Sequence, residues 1–292
     1  MKKVLFKGCG TALITPFTND GVDFEELRKL IEFQILEGID SLIICGTTGE
    51  SSTMSLEEKK SVIDFSIKIA NGKVPIIVGT GGNNTKDVIN LSKYAESVGA
   101  DGLLLVTPYY NKTTQNGLIA HFTEIAKSVS LPIILYNVPS RTGLNIEPET
   151  CLELSKIPNI VGIKEASGNI SQVAKIANLC QDNLAIYSGN DDQIVPILSL
   201  GGLGVISVLS NIYPKYVHDL VMDYLTGNWQ KATASQVYAI PLINALFSEV
   251  NPIPIKYAVS KIGFKTGLPR LPLVELSDKN KEKIDHLMKN WL

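Results

Sequence analysis

Eight short apolar runs recur along the chain at spacings of mostly 24 to 34 residues, each bounded by turn-forming residues. Isoleucine, valine and leucine fill the runs without polar alternation, which is typical of strands buried on both faces of a parallel sheet. The runs are ALIT (12–15), SLIIC (41–45), PIIVG (75–79), GLLLV (102–106), PIILY (132–136), IVGIK (160–164), LAIYS (184–188) and LGVIS (203–207). They predict eight parallel strands.

Helical patterns fill the stretches between these runs. Residues 23–38 and 55–72 carry apolar residues at helical spacing, and Ser55 followed by Glu58 resembles a capping box. Asn71-Gly72 is a suitable helix end. Strands that alternate with helices eight times predict a closed (β/α)8 TIM barrel. An open doubly wound sheet is the competing topology, but no G-x-G-x-x-G motif follows the first strand.

The pattern changes after residue 208, where it becomes helical up to the last residue. No stretch rich in proline, glycine or serine separates this part from the preceding one. We interpret it as the last helix of the barrel followed by a C-terminal helical extension. The predicted organisation is therefore a barrel over residues 1–224 and an extension over residues 225–292 that packs on it.

Charge and cysteine content exclude several classes of partner. Lysine and arginine total 27 against 29 aspartates and glutamates, which leaves no electrostatic footprint for nucleic acid or an anionic membrane. The four cysteines lie far apart, so neither a disulfide framework nor a zinc site is indicated. The apolar run Val4–Phe6 is too short for a signal peptide, and no stretch approaches the length of a membrane span. We expect a cytoplasmic protein that acts on small molecules.

Lys164 is the residue that points most directly to chemistry. It closes the sixth apolar run, and functional groups of such barrels lie at the C-terminal ends of strands. Burial lowers the pKa of a lysine amine and makes it a nucleophile toward carbonyls. A snorkelling lysine, or an ion pair with Glu165, explains the position equally well. The best rival is Lys256, which lies in the predicted helical extension.

Hydroxyl groups lie at or after the ends of three of the runs. Tyr136 ends the fifth run and is expected beside the sixth, where a phenol can relay protons, although a core-capping aromatic is commoner. Thr47 and Thr48 offer hydroxyl and N–H groups to a small carboxylate, although Gly-Thr-Thr-Gly can be an ordinary turn. Tyr110, second of an aromatic pair, fits either a proton path or a subunit interface.

Arg141 follows the fifth run, where its planar guanidinium suits a carboxylate ligand, with a surface salt bridge as the alternative. The three histidines His121, His218 and His286 fall within helical patterns, which argues against a histidine-based triad or metal centre. The glycine-rich segment 201–204 has no basic residue close by, so it predicts a turn rather than a phosphate site.

Six motifs, in this order, resemble those of the N-acetylneuraminate lyase and dihydrodipicolinate synthase family of class I pyruvate aldolases, over about residues 7–290. The motifs are GTTGES (46–51), VTPYYNK (106–112), LYNVPSRTG (135–143), GIKEASGN (162–169), SGND (188–191) and NPIPIK (251–256). The resemblance implies a barrel enzyme that needs no metal or organic cofactor and usually forms a homotetramer, built as a dimer of dimers.

The resemblance also implies how the catalytic residues would act. Lys164 would form a Schiff base with pyruvate, and Tyr136 would act as general acid and base. Thr48 and Tyr110 would complete a proton relay to solvent, with Tyr110 reaching in from a neighbouring subunit.

The remaining matches imply substrate-binding roles. Thr47 would hold the pyruvate carboxylate, and Arg141 would hold the carboxylate of a second substrate, L-aspartate 4-semialdehyde. Gly189 and Ile206 would present main-chain carbonyls near Lys164. The implied reaction adds the pyruvate enamine to the aldehyde, and transimination and ring closure then give 4-hydroxy-tetrahydrodipicolinate on the route to diaminopimelate and lysine.

Two other functions stay open at this point. A sugar-acid aldolase of the N-acetylneuraminate lyase type would use the same lysine, but segments 139–143 and 109–111 fit the dicarboxylate-forming branch better. A non-catalytic ligand-binding barrel is expected to lose the lysine or the relay hydroxyls, and all of them are present here.

Lysine-inhibited members of the family carry an allosteric site near a dimer interface. Ser51, Asn83 and Tyr109 match that site, but Leu56 and Lys59 stand where inhibited relatives often carry histidine or another polar residue. Because Lys59 would repel the ammonium group of free lysine, we expect inhibition by lysine to be weak or absent.

Overall fold

The computed structural model describes residues 2–291, in which eight parallel strands close into a barrel. The strands are β1 (Gly8–Ala12), β2 (Phe17–Thr18), β3 (Gly21–Val22), β4 (Ser41–Ile44), β5 (Ile76–Gly79), β6 (Gly102–Val106), β7 (Ile133–Asn137), β8 (Ile160–Glu165), β9 (Ala185–Ser188) and β10 (Gly204–Ser207). Strand β1 pairs with both β4 and β10, which closes the ring, while β2 and β3 form a separate antiparallel hairpin. The predicted (β/α)8 barrel is confirmed, and the open sheet is excluded.

Helices follow the barrel strands and continue beyond the last one. They are α1 (Phe24–Leu36), α2 (Leu56–Ala70), α3 (Thr85–Ser97), α4 (Gln115–Ser128), α5 (Pro139–Thr142), α6 (Pro148–Leu154), α7 (Ile170–Cys180), α8 (Ile194–Ser199), α9 (Pro214–Leu225), α10 (Trp229–Leu246), α11 (Ile253–Lys261) and α12 (Asp278–Lys289). The predicted capping box is confirmed, since Ser55 and Glu58 bond to each other's backbone N–H. Across residues 2–291, no helix combines the length and apolar character needed to cross a bilayer.

The first strand differs from its prediction. The apolar run at 12–15 predicts a strand there, but β1 covers Gly8–Ala12 and shares only Ala12 with that run. A Cβ on Gly10 would lie 2.6 Å from the Ile43 side chain, and one on Gly204 would lie 2.0 Å from the Gly8 carbonyl oxygen. Strand β1 therefore uses small residues to approach its neighbours, and a search for large apolar side chains misses it.

The core has an inner and an outer layer. Inside the barrel, buried residues that include Ile43, Ile134, Tyr187 and Ile206 form one cluster. A larger cluster fills the space between the strands and the surrounding helices. Successive strand residues point to opposite layers, so both faces of each strand are buried. This explains why the runs lack polar alternation and why a polar side chain inside the barrel is conspicuous.

The C-terminal residues pack back onto the preceding helices. The Trp291 ring stacks on Tyr213 with centroids 4.8 Å apart, and it also contacts Tyr216 at 5.0 Å and Tyr238 at 5.1 Å. These tyrosines belong to the start of α9, to α9 and to α10, so the end of the described chain is fixed to two helices. The division between a barrel up to residue 224 and an extension from 225 stays a prediction.

Candidate active site

Lys164 and Tyr136 lie side by side inside the mouth of the barrel. The two residues are register partners of β8 and β7, as their positions at the ends of adjacent runs predict. The Lys164 Nζ atom lies 4.4 Å from the centre of the Tyr136 ring. Both side chains are buried, with 5% and 7% of their surface exposed. Within residues 2–291 the Lys164 ammonium group has no ion pair, so its charge has no carboxylate in direct contact.

Burial changes the protonation of both groups. Burial and the nearby Arg141 guanidinium lower the pKa of Lys164 to about 7, although the charge of Asp191 opposes them. A substantial fraction of the amine is therefore neutral and nucleophilic near pH 7. Burial raises the pKa of the Tyr136 phenol, while Arg141 and a hydrogen bond with the Thr47 side chain lower it. The pair thus places a nucleophile next to a protonated phenol.

The rival lysine, Lys256, is held as an ion pair. Its Nζ atom lies 2.8 Å from Glu50 Oε1, and both side chains are almost fully buried. The second Glu50 oxygen accepts a hydrogen bond from the backbone N–H of Arg270 at 2.9 Å. Because a carboxylate neutralises it, Lys256 is a poor nucleophile, and Lys164 is the only one of the two that fits a Schiff base.

The other alternative for Lys164, an ion pair with Glu165, is wrong. Residue 165 points to the outer face of β8, where its carboxylate accepts hydrogen bonds from Asn137 Nδ2 at 3.0 Å and from the Ser167 backbone N–H at 2.7 Å. Gln172 Nε2 adds a third at 3.3 Å. This buried network joins the ends of β7 and β8, and it thereby fixes Tyr136 beside Lys164.

The two threonines after β4 face different partners. The Thr48 hydroxyl is buried and accepts a hydrogen bond from Asn251 Nδ2 at 3.0 Å. Thr47 lines the cavity that also contains Arg141, and its side chain reaches the Tyr136 phenol. The Thr48 side chain is thus turned toward Asn251, and the relay role expected for Thr48 stays a prediction.

Arg141 lies in the short helix α5, directly after β7, as its place in the sequence predicts. Its Nη2 atom donates to the Asn251 carbonyl oxygen at 3.3 Å, and no carboxylate within residues 2–291 pairs with it. Together with Thr47, Ser51 and Lys59 it lines a cavity of about 230 Å³ without an acidic lining residue. The guanidinium is therefore available to an anionic ligand, and the salt-bridge alternative does not hold among residues 2–291.

Gly189 lies against Lys164, and Ile206 lies in the inner layer of the barrel. A Cβ on Gly189 would approach Lys164 Cε to 3.2 Å and the Ala166 side chain to 2.6 Å, so only glycine leaves room for the lysine. Ile206 belongs to β10 and is fully buried in the inner cluster that includes Tyr136. Their predicted positions at the site are consistent with the structure, while their carbonyl contacts to a ligand stay a prediction.

Tyr110 is outside the site of its own chain. It adopts a left-handed conformation with φ of 70°, and 92% of its surface is exposed. A non-glycine residue with this conformation is uncommon. The structure therefore does not bring Tyr110 to Tyr136 within one chain, in keeping with the prediction that a neighbouring subunit supplies it.

Sequence reasoning missed Asn251 and gave no role to Asp191. Asn251 is buried, and its Oδ1 atom has no partner within residues 2–291. Asp191 is also buried and follows β9 at the same end of the barrel. The SGND and NPIPIK motifs contain both residues, but nothing in either motif alone shows that it reaches the lysine site.

The segment matched to an allosteric site lines a second cavity of about 430 Å³. Leu56, Lys59, Asn83, Asp87 and Tyr109 are among its lining residues. Ser51, which was expected with them, instead lines the smaller cavity beside Arg141. The Lys59 side chain borders both cavities.

The histidines lie where the sequence predicts, in α4, α9 and α12. In the part of the chain that the structure describes, no three side chains of histidine, cysteine, aspartate or glutamate come together as metal ligands would.

Comparison with known proteins gives a consistent result. Residues 5–291 match the model of the dihydrodipicolinate synthetase family. The 4-hydroxy-tetrahydrodipicolinate synthase of Thermoanaerobacter sp. (strain X514) is 56% identical over 98% of this chain and 97% of its own. The dihydrodipicolinate synthase structure from Thermotoga maritima has a TM-score of 0.96 at 42% identity and covers 98% of both chains.

A further structure extends the comparison to a ligand complex. The chloride-inhibited dihydrodipicolinate synthase from Acinetobacter baumannii, complexed with pyruvate, has a TM-score of 0.94 at 43% identity. The match covers 97% of this chain and 98% of that one. With the match extending over nearly the full length and the fold shared, the chain belongs to the dihydrodipicolinate synthetase family.

Proposed function

We propose that this chain is a lyase that condenses pyruvate with L-aspartate 4-semialdehyde to give 4-hydroxy-tetrahydrodipicolinate. The observation that carries the proposal is the buried, unpaired Lys164 beside Tyr136, with a pKa of about 7. Family membership and the synthases named above support the same substrates. The product feeds diaminopimelate and lysine biosynthesis, as expected for this family.

The first half of the reaction forms the nucleophile. The neutral Lys164 amine attacks the C2 carbonyl of pyruvate, and loss of water leaves an iminium whose electron-withdrawing nitrogen acidifies the C3 protons. Removal of one C3 proton gives the enamine. Tyr136 is close enough to Lys164 to donate a proton to the departing hydroxyl and to take one from the adduct.

The second half builds the ring. The enamine carbon attacks the aldehyde carbon of the second substrate, and the aldehyde oxygen takes up a proton. The α-amino group of that substrate then attacks the iminium carbon and displaces the Lys164 amine, which closes the ring and frees the enzyme. No oxidant, reductant or metal is needed to balance these steps. Arg141, which has no acidic partner in the described part of the chain, would hold the carboxylate of the aldehyde substrate.

We assign the relay hydroxyl to Thr47 instead of Thr48, because the Thr47 side chain lowers the pKa of the Tyr136 phenol, whereas the Thr48 hydroxyl accepts a hydrogen bond from Asn251. Thr48 and the backbone of the same turn would bind the pyruvate carboxylate. A second copy of the chain would supply Tyr110, so the active unit is at least a dimer, and a homotetramer remains our expectation. A cytoplasmic location likewise stays a prediction.

Reductive trapping tests this function directly. The enzyme is incubated with pyruvate and borohydride, and the adduct is located by intact mass and peptide mapping. We expect one adduct, on Lys164, that is absent from Lys164→Ala. An adduct on Lys256 would mean that the site is misassigned, and the absence of any adduct would overturn the lyase assignment.

Substrate identity is tested separately by adding either L-aspartate 4-semialdehyde or N-acetylmannosamine with pyruvate. Turnover of the amino aldehyde alone is expected, because Arg141 faces a cavity suited to a carboxylate. Turnover of the sugar alone would instead support the sugar-acid aldolase.

A further inference from the structure

The proposed Schiff base places a positive charge on the buried Lys164 nitrogen, where burial disfavours a charged group. The amine of Lys164 is largely neutral above pH 7, whereas the iminium formed from it is a cation. A buried cation is costly unless an opposite charge compensates it. Arg141 is itself cationic and therefore adds to the cost. The barrel needs a carboxylate near Lys164 that does not block the amine.

Asp191 is in the right place to supply that carboxylate. It follows β9 by three residues and begins a single 3-10 turn. Gly189, two residues earlier, packs against the Lys164 side chain and donates its N–H to the Glu165 carbonyl at 2.8 Å. The loop that carries Asp191 therefore starts at the Lys164 side chain, although no direct ion pair joins the two residues within residues 2–291.

The carboxylate of Asp191 is rigidly held. Its Oδ2 atom accepts hydrogen bonds from the backbone N–H groups of Val208 at 3.0 Å and Leu209 at 2.9 Å. Its carbonyl oxygen accepts from Gln236 Nε2 at 2.8 Å. Only 2% of Asp191 is exposed. Three hydrogen bonds thus hold Asp191 in place, two of them at Oδ2 and one at its backbone carbonyl.

The other oxygen of the same group is unused. Asp191 Oδ1 is buried and has no hydrogen-bond partner within residues 2–291. A buried acceptor without a partner costs free energy, so its retention calls for an explanation. A carboxylate whose role is electrostatic explains it, because Oδ2 provides the anchoring while the charge acts on the nearby lysine.

The charges around Asp191 are consistent with this role. Burial raises the pKa of Asp191 above its ordinary value, and the Ser207 side chain, the two N–H donors and the Lys164 charge oppose that rise. Asp191 is the carboxylate that raises the pKa of Lys164. The Asp191 charge also acts on the Cys9 thiol of β1, because burial and this charge together raise the pKa of Cys9.

The geometry points to Asp191 as a positioning residue whose charge stabilises the iminium on Lys164. Glu165, the other buried carboxylate next to the lysine, lies on the opposite face of β8 and is occupied by the network with Asn137 and Gln172. This inference rests on the proposed Schiff base, and it adds a group that does not need to touch either substrate.

The effect of Asp191 depends on pH in a specific direction. Above a pH of about 7 the free amine is neutral, so iminium formation creates a charge that Asp191 stabilises. Well below that pH the lysine is already an ammonium ion, and Asp191 stabilises the reactant and the product alike. Loss of the carboxylate therefore weakens pyruvate adduct formation at high pH and leaves it almost unchanged at low pH.

Cyanoborohydride trapping of the full-length enzyme tests this inference in Asp191→Asn, which keeps an oxygen acceptor for the two N–H groups. Asp192→Asn is the matched control, because Asp192 is the exposed neighbour. We expect half-saturating pyruvate to rise about tenfold at pH 8.5 and less than twofold at pH 5.5, since a tenfold change corresponds to one unit of pKa. The midpoint of the trapping rate against pH falls by about one unit, and Asp192→Asn matches the wild type.

A purely structural role gives a different result. Weaker trapping by the same factor at every pH, with an unchanged midpoint, would overturn the inference. If Asp191→Asn does not fold, Asp191→Glu carries the test, because it keeps the charge and should keep the wild-type midpoint, whereas a shifted midpoint would count against the inference. Trapping in the wild type is measured in the same series, so failure of the proposed function is recognised separately by the absence of any wild-type adduct.

Discussion

The chain buries two lysines at the same end of the barrel, and their surroundings differ. Lys164 at the end of β8 faces the Tyr136 ring and has no ion pair within residues 2–291, whereas Lys256 in α11 lies 2.8 Å from Glu50. Burial lowers the pKa of both amines, but Glu50 raises that of Lys256 through its charge and hydrogen bond. Burial alone does not make a nucleophile, because the Lys256 amine is bound to a carboxylate in direct contact, whereas the Lys164 amine is not.

Lys256 nevertheless supports the site indirectly, through Glu50. Glu50 follows the Thr47-Thr48 turn and adopts a left-handed conformation with φ of 53°. Lys256 and the backbone N–H of Arg270 bind its two carboxylate oxygens. One lysine thus performs the proposed chemistry, while the other holds the turn that presents two threonine hydroxyls.

Replacement of Lys164 gives the largest expected effect. For Lys164→Met, kcat should fall by at least about a thousandfold, because the covalent intermediate cannot form. The melting temperature should stay near that of the wild type or rise, since an unpaired buried amine is removed. Steady-state kinetics and calorimetry at one protein concentration measure both. If Lys164→Met kept a tenth of the wild-type activity, Lys164 would not be the nucleophile that distinguishes it from Lys256.

Replacement of Lys256 should act mainly on stability. Lys256→Met leaves the Glu50 carboxylate buried without its partner, which typically costs about 3–5 kcal/mol of unfolding free energy. The double variant Lys256→Met with Glu50→Gln should recover a large part, because no uncompensated charge remains. Urea unfolding of the single and double variants measures the difference. Equal stability of wild type and Lys256→Met would mean that the pair does not anchor the turn.

Asn251 tests whether the turn can be disturbed without a change in charge. In Asn251→Ala the Thr48 hydroxyl loses a hydrogen bond, and a bond of this kind is worth about 0.5–1.5 kcal/mol. We expect KM for pyruvate to rise about threefold to tenfold with a smaller change in kcat. The exposed Asn244→Ala in α10 is the control and should match the wild type. An unchanged KM would show that Lys256 and Glu50 hold the turn alone.

A third lysine, Lys59, gives the smallest expected effect. It borders the cavity matched to an allosteric site, where its charge should repel the ammonium of free lysine. Activity measured in rising lysine should stay flat to millimolar concentrations. Lys59→Gln should increase sensitivity to lysine if this repulsion is the cause. Strong inhibition of the wild type would contradict our expectation.

The main features of the fold and the pairing at its centre could be predicted from the sequence. Apolar runs mark most barrel strands because both faces of each strand are buried, and adjacent run ends place Tyr136 beside Lys164. The position predicted for strand β1 was wrong, because Gly8 and Gly10 have no apolar side chain by which the sequence could indicate a buried strand. These glycines allow neighbouring strands to approach closely, and this role can be recognised only in the structure of the closed barrel.

The details of the site depend on contacts that sequence order does not contain. Thr47 and Thr48 are neighbours with the same side chain, and which hydroxyl faces Tyr136 depends on the backbone of the turn. Asn251 meets Thr48 across 203 positions, and Asp191 is anchored by Val208 and Leu209 on the next strand's loop. Residue types at strand ends identify candidates, whereas their partners follow from three-dimensional packing.

The docking of Trp291 offers an optical view of the C-terminal helices. The chain has two tryptophans, and Trp229 at the start of α10 is 62% exposed, while Trp291 is stacked among three tyrosines. The two indoles should therefore differ in emission wavelength and in accessibility to a soluble quencher. Release of the last turn of the chain would remove that difference, so fluorescence can follow this end of the protein separately from events at Lys164.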